Sequence, residues 1–215
     1  MKVTSDNYYR FVITKREGLK GIIELCNGHL VCQARRKQFS KWLAVWNQTN
    51  PQEYIHELES FARPSYTNAW ISGFFDAEVA LAISFSISTQ NQVKTEFEIS
   101  ASEEKTPRRA RLRPRIYCDQ KDEFDVLQGI ADSFKAGRVR KRKSDVNQNY
   151  YRWMLDSWIH LPKVIRYLNR YPLRTRKHRV YLRFRKIYQI YLRKEHYTQD
   201  GLEPKVRALI SRLQK

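Results

Sequence analysis

Two carboxylates, Asp76 and Glu78, close the short apolar stretch Ile71-Ser72-Gly73-Phe74-Phe75-Asp76-Ala77-Glu78-Val79. An acid at the C-terminal end of a helix faces the negative pole of the macrodipole, and a second converging carboxylate adds repulsion. Such an arrangement is costly until a divalent cation binds, which makes Glu78 a candidate metal ligand. Taken alone, without a surrounding motif, Glu78 is better described as a solvated helix-end acid. A second chemistry lies in alternating cations: Arg111, Arg113 and Arg115, then Arg138, Arg140 and Arg142. On strands these would project from single sheet faces and meet phosphates. The histidines His29, His56, His160, His178 and His196 show no ligand spacing. Cys26, Cys32 and Cys118 form no C-x-x-C pair, so neither a zinc site nor a disulfide framework is encoded, and a reducing compartment is expected.

The elements that must hold these groups follow from periodicity. Asn68 to Glu78 reads as a short apolar helix. Val79 to Ser88 alternates strictly, with Val79, Leu81, Ile83, Phe85 and Ile87 opposite Ala80, Ala82, Ser84, Ser86 and Ser88. Val93 to Ile99 alternates similarly. Arg111 to Cys118 sets Leu112, Ile116 and Cys118 against Arg111, Arg113, Arg115 and Tyr117, with Pro114 marking an irregular or edge position. Helical spacing returns over Asp122 to Phe134. Gly137 to Lys143 and Asn149 to Leu155 resemble a hairpin, and helices are expected over Leu161 to Arg170, Thr175 to Lys194 and beyond Thr198. The class is α+β, a twisted, mainly antiparallel sheet with helices on one face.

Composition narrows the function. The chain has 215 residues, 41 Lys+Arg against 22 Asp+Glu and a formal charge of +19. At 41% hydrophobic and 13% aromatic it has a core to build. No apolar run approaches the roughly 20 residues that span a bilayer, and the opening segment lacks a signal-peptide or transit pattern. Ser157 to Lys194 contains twelve Lys/Arg and no acid, a composition that counterion release drives toward a polyanion. Tyr150, Tyr151, Trp153 and Trp158 could stack on unpaired bases, although such spacing more often marks core.

An internal repeat organises the chain. Asn7-Tyr8-Tyr9-Arg10-Phe11-Val12-Ile13 returns as Asn149-Tyr150-Tyr151-Arg152-Trp153-Met154-Leu155. Leu19 then falls on Leu161, Ile23 on Ile165 and Asn27 on Asn169; after one inserted residue Leu30 falls on Leu173 and Arg36 on Arg179. Two related modules are expected, with a boundary in the helix-breaking stretch of residues 51–65.

Residues 71–79 resemble the LAGLIDADG signature. Asp119-Gln120-Lys121 resembles the family's Gln-Lys element, Tyr171-Pro172-Leu173-Arg174-Thr175 its YPLxT turn, and His196 to Leu202 its HLTxxGL segment. The resemblance covers nearly all of residues 66–213 and is to LAGLIDADG homing endonucleases of the organellar intron-encoded type, whose fold is a saddle-shaped sheet. It implies that Ser72 and Gly73 lie where two such helices approach closely, that Asp76 is the structural acid of the helix end, and that Glu78 holds Mg²⁺ for phosphodiester hydrolysis. It further implies that Gln120 supports the active site and that Arg176 or Lys177 orients water or offsets phosphate charge, with phosphate contact favoured over catalysis.

On this basis residues 1–50 are the C-terminal remnant of a first module, 51–65 a linker and 66–215 a complete second module. Arg111, Arg113, Arg115, Arg138, Arg140, Lys141, Arg142, Arg174 and Arg179 are the expected nucleic-acid contacts. Two functions follow. One is a degenerate protein co-opted to bind structured RNA, as an intron maturase or a component of an organellar ribosome, in a mitochondrion or chloroplast. The other is a split endonuclease cutting double-stranded DNA with Mg²⁺, joined to a second polypeptide that completes the first module. Three features favour the first: the extreme basicity, the missing first motif, and Val79 where the motif ends in Gly, expected to crowd the metal; the small or acidic groups Ala80, Ala82, Ser84, Ser86, Ser88, Glu96 and Glu98 along the strands further weaken base readout by an enzyme. Retained Asp76, Glu78 and Gln120 favour the second.

Overall fold

A computed structural model describes residues 12–60, 62–88, 109–142, 149–198, 201–202 and 204–213; for 83–88, 109–111, 197–198 and 201–202 it describes the backbone alone. The expected strand Val93 to Ile99, with Glu96 and Glu98, and most of the first repeat motif at residues 7–13 lie outside the described residues. The chain divides into two compact units, Met1–Arg63 and Pro64–Lys215.

In the first unit, α1 (Arg16–Cys26) and α2 (Gln33–Thr49) enclose Ile23, Phe39, Leu43 and Trp46. The chain leaves α1 through Gly28, whose φ of +77° suits glycine. Residues 51–60, expected as a linker, instead fold back onto the two helices. The Asn27 amide donates to the His56 carbonyl and its oxygen accepts from the Leu58 amide, while Asn47 makes the same two-way bridge to Ile55. Each asparagine satisfies two backbone groups of a segment that has no strand beside it among the described residues.

The second unit opens with α3 (Trp70–Glu78) and continues through β1 (Ala80–Ser88), β2 (Arg109–Lys121), α4 (Phe124–Phe134), β3 (Arg138–Lys141), β4 (Tyr150–Leu155), α5 (Leu161–Arg170) and α6 (Lys177–Leu192), closing with the short pair β5 (Tyr197–Thr198) and β6 (Gly201–Leu202) and with α7 (Pro204–Ser211). The first four strands form one antiparallel sheet in the order β1-β2-β4-β3. One face is apolar: Leu81, Leu112, Ile116, Cys118, Trp153 and Leu155 share a core with Ile71 and Phe75 of α3, Leu127, Ile130 and Phe134 of α4, Val164 and Tyr167 of α5, and Phe184 and Ile187 of α6. The strand period of two leaves Arg113 and Arg115 exposed on the other face.

Pro114 sits within the continuous strand β2, opposite Ile83. Pairing with β4 begins only at Ile116, so among the described residues Pro114 has a strand neighbour on one side alone, where a missing donor is tolerated. Two helices start later than the sequence spacing suggests. Asp122 takes a left-handed conformation (φ 57°) before α4, and the amides of Arg174 and Thr175 are engaged by a side chain of α3 before α6 begins. Gly137, at φ +85°, enters β3 directly over the buried Trp153.

Candidate active site and nucleic-acid interface

The C-terminal end of α3 is fastened to the turn before α6. The Asp76 carboxylate accepts from the backbone N–H of Arg174 at 2.6 Å and of Thr175 at 3.2 Å, and from the Thr175 hydroxyl at 2.7 Å. Partial burial raises its pKa, but these donors outweigh it and hold the carboxyl below the ordinary value. The Lys177 ammonium then donates to the carbonyl oxygens of Ala77 at 2.9 Å and Phe75 at 3.2 Å, placing a cation at the negative pole of α3. Burial lowers the Lys177 pKa, against the opposing pull of Glu78 and Asp76. Glu78 stands exposed at this same end.

Val79 does not crowd that surface. Its backbone is extended (φ −78°, ψ 142°), which suits a β-branched residue, and its side chain is 3% exposed within the core. No glycine is required there. Of the two small residues expected on an inter-helix face, Gly73 is exposed, with nothing among the described residues within 4 Å of where a Cβ would stand, whereas Ser72 turns inward. Its backbone N–H donates to the Tyr167 hydroxyl at 3.0 Å, and that hydroxyl donates to the Asn68 carbonyl. The small exposed positions are Gly73 and Ala77, four residues apart on one face of α3, with Ala69 at its N-cap four residues earlier.

Gln120 lies on β2 opposite Tyr151, partly exposed, two residues beyond the buried Cys118 and on the same sheet face. The Cys118 thiol is pushed up to about 12, first by burial and then by the carboxylates of Asp119 and Glu78, while Lys177 and Arg152 pull the other way. The end of β2 is therefore within electrostatic reach of Glu78 and Lys177. Arg176 is exposed beside them at the N-cap of α6.

The open face of the sheet carries the cations. Arg113 and Arg115 are exposed, with no carboxylate partner among the described residues. Arg140 faces Arg152 across β3 and β4, and Arg152 faces Asp119 across β4 and β2. The Arg152 guanidinium grips Asp119 through Nε at 2.6 Å and Nη2 at 2.7 Å and lies 4.5 Å from the Tyr117 ring centroid; Arg142 reaches the same carboxylate at 3.0 Å. The hydrogen bonds from Arg152 lower the Asp119 pKa, and the pairing raises that of Arg152.

Several expected contacts are already engaged or stand elsewhere. Arg138 pairs with Asp156 at 2.6 Å. Lys141 donates to the Asn149 side chain and, one residue from Arg140, projects to the opposite side of β3. Arg174 and Arg179 are exposed, one in the turn before α6 and one on that helix, and the Arg111 side chain lies outside the described residues. Trp153 is fully buried, and Trp158 stacks on Tyr191 at 4.1 Å and donates to the Leu112 carbonyl. Sequence spacing missed Arg152 and Asp119. The signal was available in their parity with Arg140 once the hairpin register is set.

Glu78 offers one exposed carboxylate, and among the described residues no three His, Cys, Asp or Glu side chains form a group that could hold a metal ion, so the residues present would fit a divalent cation only in part. No helix among the described residues is long and apolar enough to cross a membrane.

Residues 71–188 match the LAGLIDADG endonuclease family, and the chain belongs to it. It is 26% identical over 196 residues to the "probable intron-encoded endonuclease 4" of Neurospora crassa, covering 91% of this chain and 32% of that protein. It is 27% identical over 214 residues to the "uncharacterized cox1 intron-2 37.2 kDa protein" of Schizosaccharomyces pombe, covering 94% of this chain and 55% of that one. The chain thus spans about a third and about half of these relatives. Among solved structures, the homing endonuclease I-TnaI superposes with a TM-score of 0.54 at 22% identity, over 71% of this chain and 95% of that one. I-SmaMI, bound to an uncleaved DNA target in the presence of calcium ions, gives 0.55 at 16% identity, over 79% and 52%. These likenesses establish the fold.

Proposed function

We propose that the sheet face binds duplex DNA and that the end of α3 supplies half of a metal-dependent phosphodiesterase site. The observation that carries this is the α3 terminus: Asp76 locks the helix end to the turn before α6, so that Glu78 is exposed beside Lys177 and next to the small-residue face Ala69, Gly73 and Ala77. That face suits a second LAGLIDADG helix, whose acid would join Glu78 in holding Mg²⁺. A divalent cation there would activate water and stabilise the leaving oxygen. Lys177 and Arg176 offset phosphate charge, and Gln120 supports the site from the end of β2. Residues 1–50 are the closing part of a first module, and the rest of that module comes from a further polypeptide segment or a second chain. Arg113, Arg115, Arg140 and Arg152 contact the DNA. An organellar setting is supported by the intron-encoded relatives, one of them named for a cox1 intron.

The test pairs the chain with a fragment carrying a second LAGLIDADG helix and supplies plasmids with randomised duplex inserts and Mg²⁺. Cleavage is expected from the pair and lost in Glu78→Gln, with binding retained. Cleavage by Glu78→Gln at the parental rate would remove Glu78 from the site.

A second function, binding of structured RNA as a maturase or organellar ribosome component, is favoured by a separate feature. Arg166, Arg170, Arg179 and Lys186 are exposed on α5 and α6, which pack on the other side of the sheet from Arg113 and Arg115. Retention of a structured RNA in the presence of excess duplex DNA would support it.

A further inference from the structure

We propose that Asp119 is a positioning residue and Arg152 a specificity-determining one: the carboxylate fixes the guanidinium so that its outer edge reads a guanine in the bound duplex. This rests on the assignment of the open sheet face to DNA. An acid in the middle of a face that meets phosphates weakens binding by repulsion, so its presence calls for a compensating role. Asp119 takes Nε–H and one Nη2–H of Arg152, the side edge of the fork. Left over are the second Nη2–H and both Nη1–H donors. Nη1 has no partner among the described residues, and 35% of the side chain is exposed. The end-on edge therefore presents two parallel donors, the pattern that matches O6 and N7 of guanine in the major groove.

The guanidinium is held by Tyr117 and Asp119, and Asp119 is itself held by Arg142. Tyr117 lies beneath the guanidinium at 4.5 Å, Arg142 braces the same carboxylate at 3.0 Å, and Asp119 is the direct cross-strand partner of Arg152. A flexible cation finds phosphates wherever they are; one fixed in plane by two hydrogen bonds and a ring loses little further freedom on meeting a base.

The experiment incubates the full chain with a randomised duplex DNA pool and sequences the retained fraction, for the parent, Asp119→Asn and Arg152→Lys, with melting temperatures as a folding control. The parent should enrich guanine at one position. Asp119→Asn should lose that enrichment by about tenfold or more, the discrimination one bidentate arginine contact carries, while binding the pool more tightly because an acid has gone. Arg152→Lys should lose it with the salt dependence of binding unchanged. Guanine enrichment surviving in both variants, or a loss of affinity spread evenly over all sequences, would overturn the proposal by assigning the pair to scaffold or to phosphate. Failure of the parent to retain any duplex would instead defeat the DNA assignment of the face, and this inference with it.

Discussion

Asp76 and Thr175 are joined twice across 99 residues of chain, once through the Thr175 amide and once through its hydroxyl. With the Arg174 amide, one carboxylate satisfies three donors, so the end of α3 and the start of α6 form a single mechanical unit. Glu78 and Lys177 inherit their positions from it.

Replacing Asp76 by alanine leaves two backbone N–H groups without their acceptor. A loss of about 2–3 kcal/mol in unfolding free energy is expected, read from urea denaturation. A loss below about 0.5 kcal/mol would show that water replaces the carboxylate at no cost.

The same carboxyl sets a pH dependence. Its folded value lies below the ordinary 3.8, so its stabilisation is present above that value and lost as pH falls through the folded one. Asp76→Asn should therefore flatten the acid limb of the stability profile, measured by denaturation between about pH 2 and pH 5.

Tyr167→Phe removes the hydroxyl that links the Ser72 amide to the Asn68 carbonyl at the start of α3. The Ser72 amide is then buried without a partner, at a cost of about 1–3 kcal/mol. An unchanged melting temperature would place a solvent molecule in that role.

Gly137→Ala would set a Cβ 2.4 Å from Trp153 Nε1 at a backbone φ of +85°. Both the clash and the conformation oppose it, and destabilisation of about 3 kcal/mol or more is expected by thermal unfolding.

Arg113→Ala and Arg115→Ala should each weaken DNA binding across all sequences. Each should reduce the slope of log K against log salt by about 0.9, the value of one phosphate contact. An unaltered slope would move the backbone contacts off β2.

Much of this was legible in the chain. The span Leu161 to Arg170 is helical as its spacing suggests, and the inward row Leu112, Ile116, Cys118 of β2 follows from period two alone. Local pattern could not give what depends on partners distant in sequence. The start of α6 is displaced because Asp76 captures the amides of Arg174 and Thr175. The Asp119–Arg152 pair requires the register between β2 and β4 across 33 residues, which periodicity does not fix. The place of Val79 depends on its extended backbone at the end of α3, which turns the side chain into the core and which a motif position does not reveal.

Cys118, with its thiol pushed up to about 12, holds almost no thiolate at neutral pH, and the thiolate is the form that alkylating reagents attack. It becomes reactive only when β2 parts from its neighbours and admits solvent. Cys26 and Cys32 are half-buried in the other unit. The middle of the sheet thus carries its own stopwatch: the slow arm of a thiol-labelling time course in native buffer would clock how often the protein breathes.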